Sequence, residues 1–249
     1  MTAIATQEAF VLVGSAGGIG GAIARRYAVA NPCAPIWLTY AADLESAEQT
    51  RDGIGRGEVV KCDATDEDAL AGLADRLLFA GQRVRVMVHG VVAASPGGIL
   101  GNSDDLLRHL DVSAVSLART VSALRGLLFE GSSVFYLSSD GGSKVAEDYG
   151  HIGVAKAAGD AIVRYLALEL GKLGVRINSI ASGPVATKAF AAVVDDPERW
   201  EAAARKRSLI QPGADVDDLA EFVVAMAGGA GRGVTGQYLR VDGGLGLRL

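Results

Sequence analysis

Seven short apolar runs alternate with longer segments of helical periodicity, and this alternation constrains the fold more than any other feature. Each run is apolar on both faces, as a strand in a helix-covered parallel sheet must be. The order predicts a single α/β domain over residues 1–249, with a doubly wound sheet of seven parallel strands. The runs cover 9–13, 35–40, 58–62, 84–90, 133–139, 175–180 and 237–241. The helical segments cover 19–30, 42–54, 66–80, 103–128, 149–173 and 215–227.

The composition excludes several other classes of protein. Hydrophobic residues make up 49% of the chain and charged residues 21%, which is enough apolar material for a substantial core. A net charge of -5 gives no positive surface for nucleic acid or anionic membranes. Cys33 and Cys62 form no close-spaced motif, so we expect neither a disulfide nor a metal site. Without a long apolar segment or a basic secretion signal, the sequence predicts a cytoplasmic protein.

Glycines stand between the first strand and the first helix. The segment "FVLVGSAGGIGGAIARRYA" contains Gly14, Gly18 and Gly20 at this turn. Missing side chains let backbone N–H groups approach a pyrophosphate, and the helix N-terminus favours its negative charge. The spacing Gly-x-x-x-Gly-x-Gly differs from the usual fingerprint, and glycines also mark ordinary tight turns. After the first strand of a Rossmann-like chain, however, the turn predicts a dinucleotide site.

Together with other segments, this turn resembles that of the short-chain dehydrogenase/reductase family, and the similarity spans essentially the whole chain. "YLSSDGG", "NSIASGPVATKAF" and "VTGQYLRVDGG" resemble the family's catalytic-serine, Pro-Gly and C-terminal strand segments. "KCDATD" resembles its adenine-contacting segment, whereas "VMVHGVVA" departs from its Asn-Asn-Ala-Gly segment. The resemblance implies an oxidoreductase that uses NADP or NAD. The implied cofactor-binding residues are Gly14, Ser15, Gly18, Ile19, Gly20, Tyr40, Asp63, Ala64, His89, Gly90, Lys156, Pro184, Val185 and Thr187.

The stretch "EDYGHIGVAK" bears on the proton donor. Most members of the family place a tyrosine four residues before the lysine, but here that residue is Ile152, and Tyr149 lies seven residues before Lys156. This spacing resembles the enoyl-acyl-carrier-protein reductase branch. Seven residues return a helix to within roughly 20° of its starting face, and four to within about 40°. The resemblance implies Ser138, Tyr149 and Lys156 as catalytic residues, with the ammonium favouring the phenolate and easing proton exchange.

Several alternatives for these residues stay open. Tyr149 can simply pack at the helix start while Lys156 lies on the surface. His151 is an alternative acid, and Asp111 stands where many family members have a proton-relay asparagine. The substrate can also supply the proton itself. Ser139 replaces a second tyrosine that some enoyl reductases carry.

The long segment 184–213, between the sixth strand and the last helix, has a length typical of functional loops. Its residues 188–212 correspond to the family's variable substrate loop. The residues that we expect to line an apolar pocket are Phe190, Val193, Val194 and Trp200. The resemblance predicts hydride transfer to an enoyl thioester. A ketoreductase or alcohol dehydrogenase acting on a polyketide-like or cyclic carbonyl is the alternative, and a catalytically silent dinucleotide-binding protein is the second.

The cofactor preference and the assembly are predicted less fully. Asp43 lies slightly beyond the position after the second strand where an acidic residue would indicate an NAD site. Gly17 stands where a basic residue would indicate NADP. The choice between the two cofactors therefore stays open. The family is usually tetrameric through its two long helices, here 103–128 and 149–173, so we expect a homo-oligomer.

Overall fold

The computed structural model describes residues 7–14, 16–100 and 102–247. Seven strands form one all-parallel sheet in the order β3-β2-β1-β4-β5-β6-β7. They are β1 (Gln7–Val13), β2 (Ile36–Tyr40), β3 (Glu58–Lys61), β4 (Gln82–His89), β5 (Leu128–Leu137), β6 (Arg176–Ser182) and β7 (Tyr238–Val241). The predicted seven-stranded, doubly wound parallel sheet is confirmed.

Helices cover both faces of this sheet. In the described ranges they are α1 (Gly18–Ala30), α2 (Leu44–Ile54), α3 (Glu67–Phe79), α4 (Ser103–Leu110), α5 (Ser116–Leu124), α6 (Gly150–Gly171), α7 (Lys188–Ala191), α8 (Pro197–Arg207) and α9 (Val216–Ala227). The core on one face joins the sheet to α3, α5 and α6, and the core on the other joins it to α1, α2 and α9. None of the helices in the described part of the chain is long and apolar enough to cross a bilayer.

The central strand β1 shows how the sequence builds both cores. All five residues from 9 to 13 are fully buried. Val11 and Val13 pack into the core beneath α3, α5 and α6, whereas Phe10 and Leu12 pack into the core beneath α1 and α9. Successive side chains of a strand point to opposite faces, so a strand covered on both sides must be apolar throughout.

The strand order reverses at β1, which pairs with β2 on one side and with β4 on the other. The connections after β1 and after β4 therefore leave the sheet in opposite directions. In open α/β sheets, the crevice at the carboxyl ends of such strands is the usual place for a ligand. The fold thus fixes where the site residues can meet.

The predicted helical segment 103–128 is helical from residue 103 to 127, but it is not a regular α-helix throughout. A π-helical turn, Asp111–Val115, separates α4 from α5, and the chain enters β5 at Leu128. The Ser116 hydroxyl donates to the Val112 carbonyl at 2.6 Å. Ser and Thr hydroxyls that bond a carbonyl four residues earlier commonly bend a helix, and helical periodicity does not record such bonds.

The predicted long loop 184–213 also contains regular structure, namely α7 and α8. Helix α8 begins with Asp196 as its N-cap, whose carboxylate accepts from the Arg199 N–H at 3.0 Å, and with Pro197 in its first turn. Both residues are typical of a helix start. Asp196 and Pro197 therefore indicated a helix start in the sequence, although the irregular apolar pattern of the segment did not predict a helix.

Two glycines of α6 provide a matched test of how closely this helix packs on β5. A Cβ at Gly159 would overlap the ring of Tyr136, which is fully buried in β5, whereas a Cβ at Gly171 would meet nothing. We predict that Gly159→Ala lowers the free energy of unfolding by about 2 kcal/mol through overpacking. Gly171→Ala is expected to leave it unchanged or raise it slightly. Urea denaturation of both variants measures the difference, and equal stabilities would contradict the packing described here.

Candidate active site

A cavity of about 1360 Å³ lies at the carboxyl ends of the strands. Its walls come from the glycine turn, from the ends of β2, β3, β4 and β5, from the start of α6 and from the segment after β6. The cavity coincides with the switch in strand order, where the connections after β1 and β4 diverge.

This cavity brings together most of the predicted site residues. Those that line it are Gly14, Gly18, Ile19, Tyr40, Asp63, Ala64, Gly90, Ser138, Tyr149, Lys156, Pro184, Val185 and Thr187. Gly20 and His89 are buried and do not line it. Ser15 lies outside the described residues.

The glycine turn forms a cradle of backbone around one side of the cavity. Gly14 and Gly18 have φ values of +69° and +50°, which L-residues with side chains rarely adopt. A Cβ at Gly18 would lie 2.8 Å from the Thr187 methyl group. Gly17 is the N-cap of α1, and among the described residues no side chain caps this helix and no acidic residue occupies its first turn. The N–H groups at the start of α1 can therefore bind an anionic group.

The opposite end of the cavity lies beyond β2. Asp43 caps α2, accepting from the Ser46 N–H at 3.1 Å and from the Ser46 hydroxyl at 2.7 Å. Lys188 Nζ donates to the same carboxylate at 3.1 Å. The Ser46 hydrogen bonds, aided by Lys188, lower the pKa of Asp43. Because both carboxylate oxygens are engaged, Asp43 marks no clear NAD preference.

Lys156 is an interior residue, so the alternative that places it on the surface is wrong. It is 5% exposed, and its Nζ donates to the Leu137 carbonyl at 2.7 Å, at the end of β5. The ammonium lies 4.9 Å from the centre of the Tyr136 ring. Burial lowers the pKa of Lys156 to about 8, against the opposing effect of the Asp160 carboxylate. The ammonium form therefore predominates at neutral pH.

Tyr149 is the N-cap residue of α6, and its side chain lines the same cavity as Lys156. Its hydroxyl donates to Ser139 Oγ at 3.2 Å, and Gly141 lies against its ring, where a Cβ would overlap the ring edge. Burial raises the pKa of Tyr149, although the bond to Ser139 opposes this. Burial therefore favours the protonated phenol, and the part of Lys156 in proton exchange stays a prediction.

Ser138 also lines the cavity, and it has a partner that sequence analysis missed. Its Oγ donates to Asp160 Oδ2 at 3.0 Å. Asp160 lies four residues after Lys156 in α6, and this spacing places the two side chains on one face of the helix. The spacing was visible in the sequence, but its meaning depends on which face is buried.

Two other candidates for proton transfer lie away from the cavity. His151 is buried rather than exposed, and its ring packs against Gly97 and lies 5.3 Å from the ring of His109. Asp111 accepts from Arg119 at 2.6 Å. Neither His151 nor Asp111 lines the cavity.

His89, at the end of β4, has an interior environment that explains why it does not reach the cavity. The Ser116 hydroxyl lies 3.1 Å from His89 Nε2 and gives its hydrogen to the Val112 carbonyl. The Nε2–H of the neutral imidazole must then be the donor to Ser116 Oγ. Burial, followed by the positive charge of Lys156, lowers the pKa of His89 to about 3. His89 is therefore an uncharged structural residue at neutral pH.

With this geometry established, comparison with known proteins identifies the family. A family profile described as "Enoyl-(Acyl carrier protein) reductase" matches residues 14–246. The chain belongs to this family. A relative from Bacillus cereus, named enoyl-[acyl-carrier-protein] reductase [NADH] FabI, is 30% identical over 252 residues, covering 95% of this chain and 96% of that protein.

Solved structures of the family have the same fold. The enoyl-[acyl-carrier-protein] reductase (NADH) of Aquifex aeolicus VF5 aligns with a TM-score of 0.87 and 26% identity, covering 97% of this chain and 98% of that chain. The Bacillus cereus enoyl-acyl carrier protein reductase with NADP+ and indole naphthyridinone aligns with a TM-score of 0.88 and 26% identity, covering 98% of each chain. The resemblance to short-chain dehydrogenases/reductases of the enoyl reductase branch is thus confirmed, as is the prediction of an NAD(P)-dependent oxidoreductase.

The low pKa of His89 predicts an acid-sensitive fold. Between the unfolded pKa of about 6.5 and the folded value of about 3, the unfolded chain binds a proton that the folded chain does not. Stability is therefore complete above this window and falls as the pH falls through it. Between neutral pH and pH ~4, we expect wild type to lose about 3 kcal/mol more than His89→Gln, whose amide can replace the bond to Ser116.

Urea denaturation at a series of pH values measures this difference. NMR titration of the wild-type imidazole provides a check that does not depend on the variant folding. An imidazole that titrates near its ordinary pKa, or identical acid sensitivity of the two proteins, would contradict the assignment.

Proposed function

We propose that this chain is a cytoplasmic reductase that transfers hydride to the C=C bond of an enoyl thioester. The observation that carries the proposal is the placement of Tyr149 and Lys156, seven residues apart, on the wall of one cavity. The relative from Bacillus cereus is named for enoyl reduction with NADH, which supports the same activity here. The cofactor is NADH or NADPH, and nothing at the end of β2 decides between them.

The residues of the cavity fit such a dinucleotide. The start of α1, which no side chain of the described residues caps, would hold the pyrophosphate on backbone N–H groups together with Gly14, Gly18 and Ile19. The end near β2 and β3 would take the adenosine. At the other end, Lys156 would bond the ribose. The remaining proposed contacts are Ser15, Tyr40, Asp63, Ala64, Gly90, Pro184, Val185 and Thr187, whereas the buried positions of Gly20 and His89 argue against direct roles.

A reduced nicotinamide bound in this cleft would supply a hydride to the β-carbon of the thioester. Negative charge then develops on the thioester oxygen, and Tyr149 donates a hydrogen bond or a proton to that oxygen. The raised pKa of Tyr149 keeps its hydrogen in place at neutral pH. Lys156, which lines the same cavity, would stabilise the charge that Tyr149 acquires when it releases the proton.

The apolar part of the cavity suits an acyl chain. It is lined by the four residues predicted from the sequence, Phe190, Val193, Val194 and Trp200. They belong to α7, α8 and the turn between them, and we propose residues 188–212 as the substrate loop. A pocket of apolar side chains with a few convergent polar groups is the usual form of a small-molecule site.

Removal of the Tyr149 hydroxyl tests the proposal. We predict that Tyr149→Phe lowers the turnover of a crotonyl-type thioester by about 100-fold or more, because a positioned acid contributes roughly that much. Affinity for the dinucleotide, measured by calorimetry, should change little. Tyr165→Phe is the matched control, since Tyr165 is a tyrosine of the same helix that does not line the cavity. A turnover of Tyr149→Phe close to that of wild type would show that another group is the acid.

The choice of substrate separates enoyl reduction from the alternatives. The wild-type enzyme is supplied with a crotonyl-type thioester and, separately, with a β-keto thioester, and cofactor absorbance is followed. We expect oxidation of the cofactor with the enoyl substrate. Preference for the keto substrate would indicate a ketoreductase, and tight cofactor binding without turnover would indicate a silent dinucleotide-binding protein.

We also propose that the chain assembles as a homotetramer. Helix α6 exposes Val154, Tyr165 and Leu168 along one side. Small residues at 158 and 161 lie between them on that side and permit close approach of a second helix. Exposed apolar stripes of this kind favour association between copies of a chain.

A charge placed in this stripe should reduce the size of the assembly. We predict that Leu168→Glu shifts the mass measured by light scattering from that of a tetramer to that of a smaller species. Phe79→Glu is the control, because Phe79 is 97% exposed but belongs to α3. A monomeric wild type, or a tetramer in Leu168→Glu, would contradict the proposed interface.

A further inference from the structure

Asp160 is a buried carboxylate with no role in the proposed chemistry. It is 8% exposed, and Oδ2 accepts from Ser138 Oγ at 3.0 Å. Oδ1 is buried and accepts no hydrogen bond of standard geometry among the described residues, although the Ser179 hydroxyl is near enough to lower the pKa of Asp160. A carboxylate in such a place is costly unless an opposite charge accompanies it. The burial of the Asp160 carboxylate therefore requires a physical explanation.

Two cations lie four residues from Asp160 in α6, Lys156 before it and Arg164 after it, and Lys156 has the larger effect on the carboxylate. The only acceptor of Lys156 within the described residues is the neutral Leu137 carbonyl, so Asp160 supplies the negative charge that favours the ammonium. The other titratable groups that face this pair come from several elements. They are Arg164 in α6, Tyr136 in β5, Tyr238 in β7, His89 in β4 and Tyr149 at the start of α6.

We propose that Asp160 is a positioning residue of this active site, which keeps Lys156 charged and fixes the direction of the Ser138 hydroxyl. The inference deepens the proposed function, since it rests on the roles given there to Ser138 and Lys156. Asp160 does not line the cavity and acts only through these two side chains.

The bond to Asp160 decides what Ser138 can offer a substrate. The Ser138 hydrogen points to the carboxylate, so its oxygen faces the cavity with lone pairs. Ser138 then accepts hydrogen bonds from groups in the cavity and does not donate to the substrate oxygen. Tyr149 Oη is then the donor to that oxygen. In the free enzyme it donates to Ser139 Oγ, which also lines the cavity, and a ligand can take the place of Ser139 as the acceptor.

The charge of Asp160 also sets the pH range of the ammonium. The pKa of Lys156 is about 8 with Asp160 in place. Removing the negative charge withdraws the interaction that raises this pKa, so the ammonium is lost at lower pH. Without the Asp160 charge, an activity that requires the ammonium should therefore begin to fall at a lower pH on the alkaline side of its pH profile. Burial raises the pKa of Asp160 itself, so protonation of Asp160 should also contribute an acid limb.

Two variants separate the charge from the hydrogen bond. Asp160→Asn removes the charge and keeps an oxygen that can accept from Ser138, whereas Ser138→Ala removes the bond and keeps the charge. Asp217→Asn, at an exposed carboxylate of α9, is the control for the same change of net charge. For each protein, the Lys156 ammonium is titrated by NMR in the free enzyme, with the signal identified by its loss in Lys156→Met. The pH profile of kcat/KM with a crotonyl-type thioester is then measured.

We expect Asp160→Asn to lower the Lys156 pKa and the alkaline limb by about one pH unit and to weaken the acid limb. Asp217→Asn should leave both measurements unchanged, and Ser138→Ala should leave the Lys156 pKa near its wild-type value. An unmoved Lys156 pKa in Asp160→Asn would overturn the inference. Failure of the proposed function can be distinguished from failure of this inference. In the first case wild type would not turn over the thioester, while NMR would still show the lowered Lys156 pKa in Asp160→Asn.

Discussion

Burial of the Lys156 ammonium is the constraint on which the rest of the site depends. A charge in the interior needs hydrogen bonds and an opposite charge close by. The Leu137 carbonyl and the Asp160 carboxylate supply them. The end of β5 and the first turns of α6 must therefore stay in register with each other. Gly153 and Gly159 permit this approach, because a Cβ at either position would overlap the chain that follows or forms β5.

The second wall of the cleft comes from the segment after β6, and it links the two ends of the cavity. Thr187 packs against the glycine turn so closely that Gly18 has no room for a side chain. Lys188 reaches past it to Asp43 and to Ser46, whose Oγ lies 2.9 Å from Nζ. The same segment continues into the apolar residues of the proposed substrate loop. The segment after β6 therefore contacts both the glycine turn and the start of α2.

The sequence predicted the sheet well because its central strands are buried on both faces and form plain apolar runs. It also predicted the residues around the cavity, because their positions follow from strand ends. It failed at Ser116 and Asp160, whose effects depend on what lies across the fold. The hydroxyl bond of Ser116 accompanies a π-helical turn that helical periodicity does not distinguish from a regular α-helix. His89, which we expected to contact the cofactor, is an interior residue because its side chain points to Ser116 rather than to the cavity.

The position of Tyr149 shows how a tyrosine seven residues before Lys156 reaches the same cavity. Over seven residues a helix rises about 10 Å, against about 6 Å for four, so the phenol must come from the helix entrance. Asp148, just before it, has a φ of +54°, a strained conformation for a residue with a side chain. The Asp148 carbonyl accepts from the Gly97 N–H at 2.8 Å, and Gly97 also forms a β-bridge with Tyr149. These bonds hold the strained turn, and the turn directs the tyrosine back over the cavity instead of along the outside of α6.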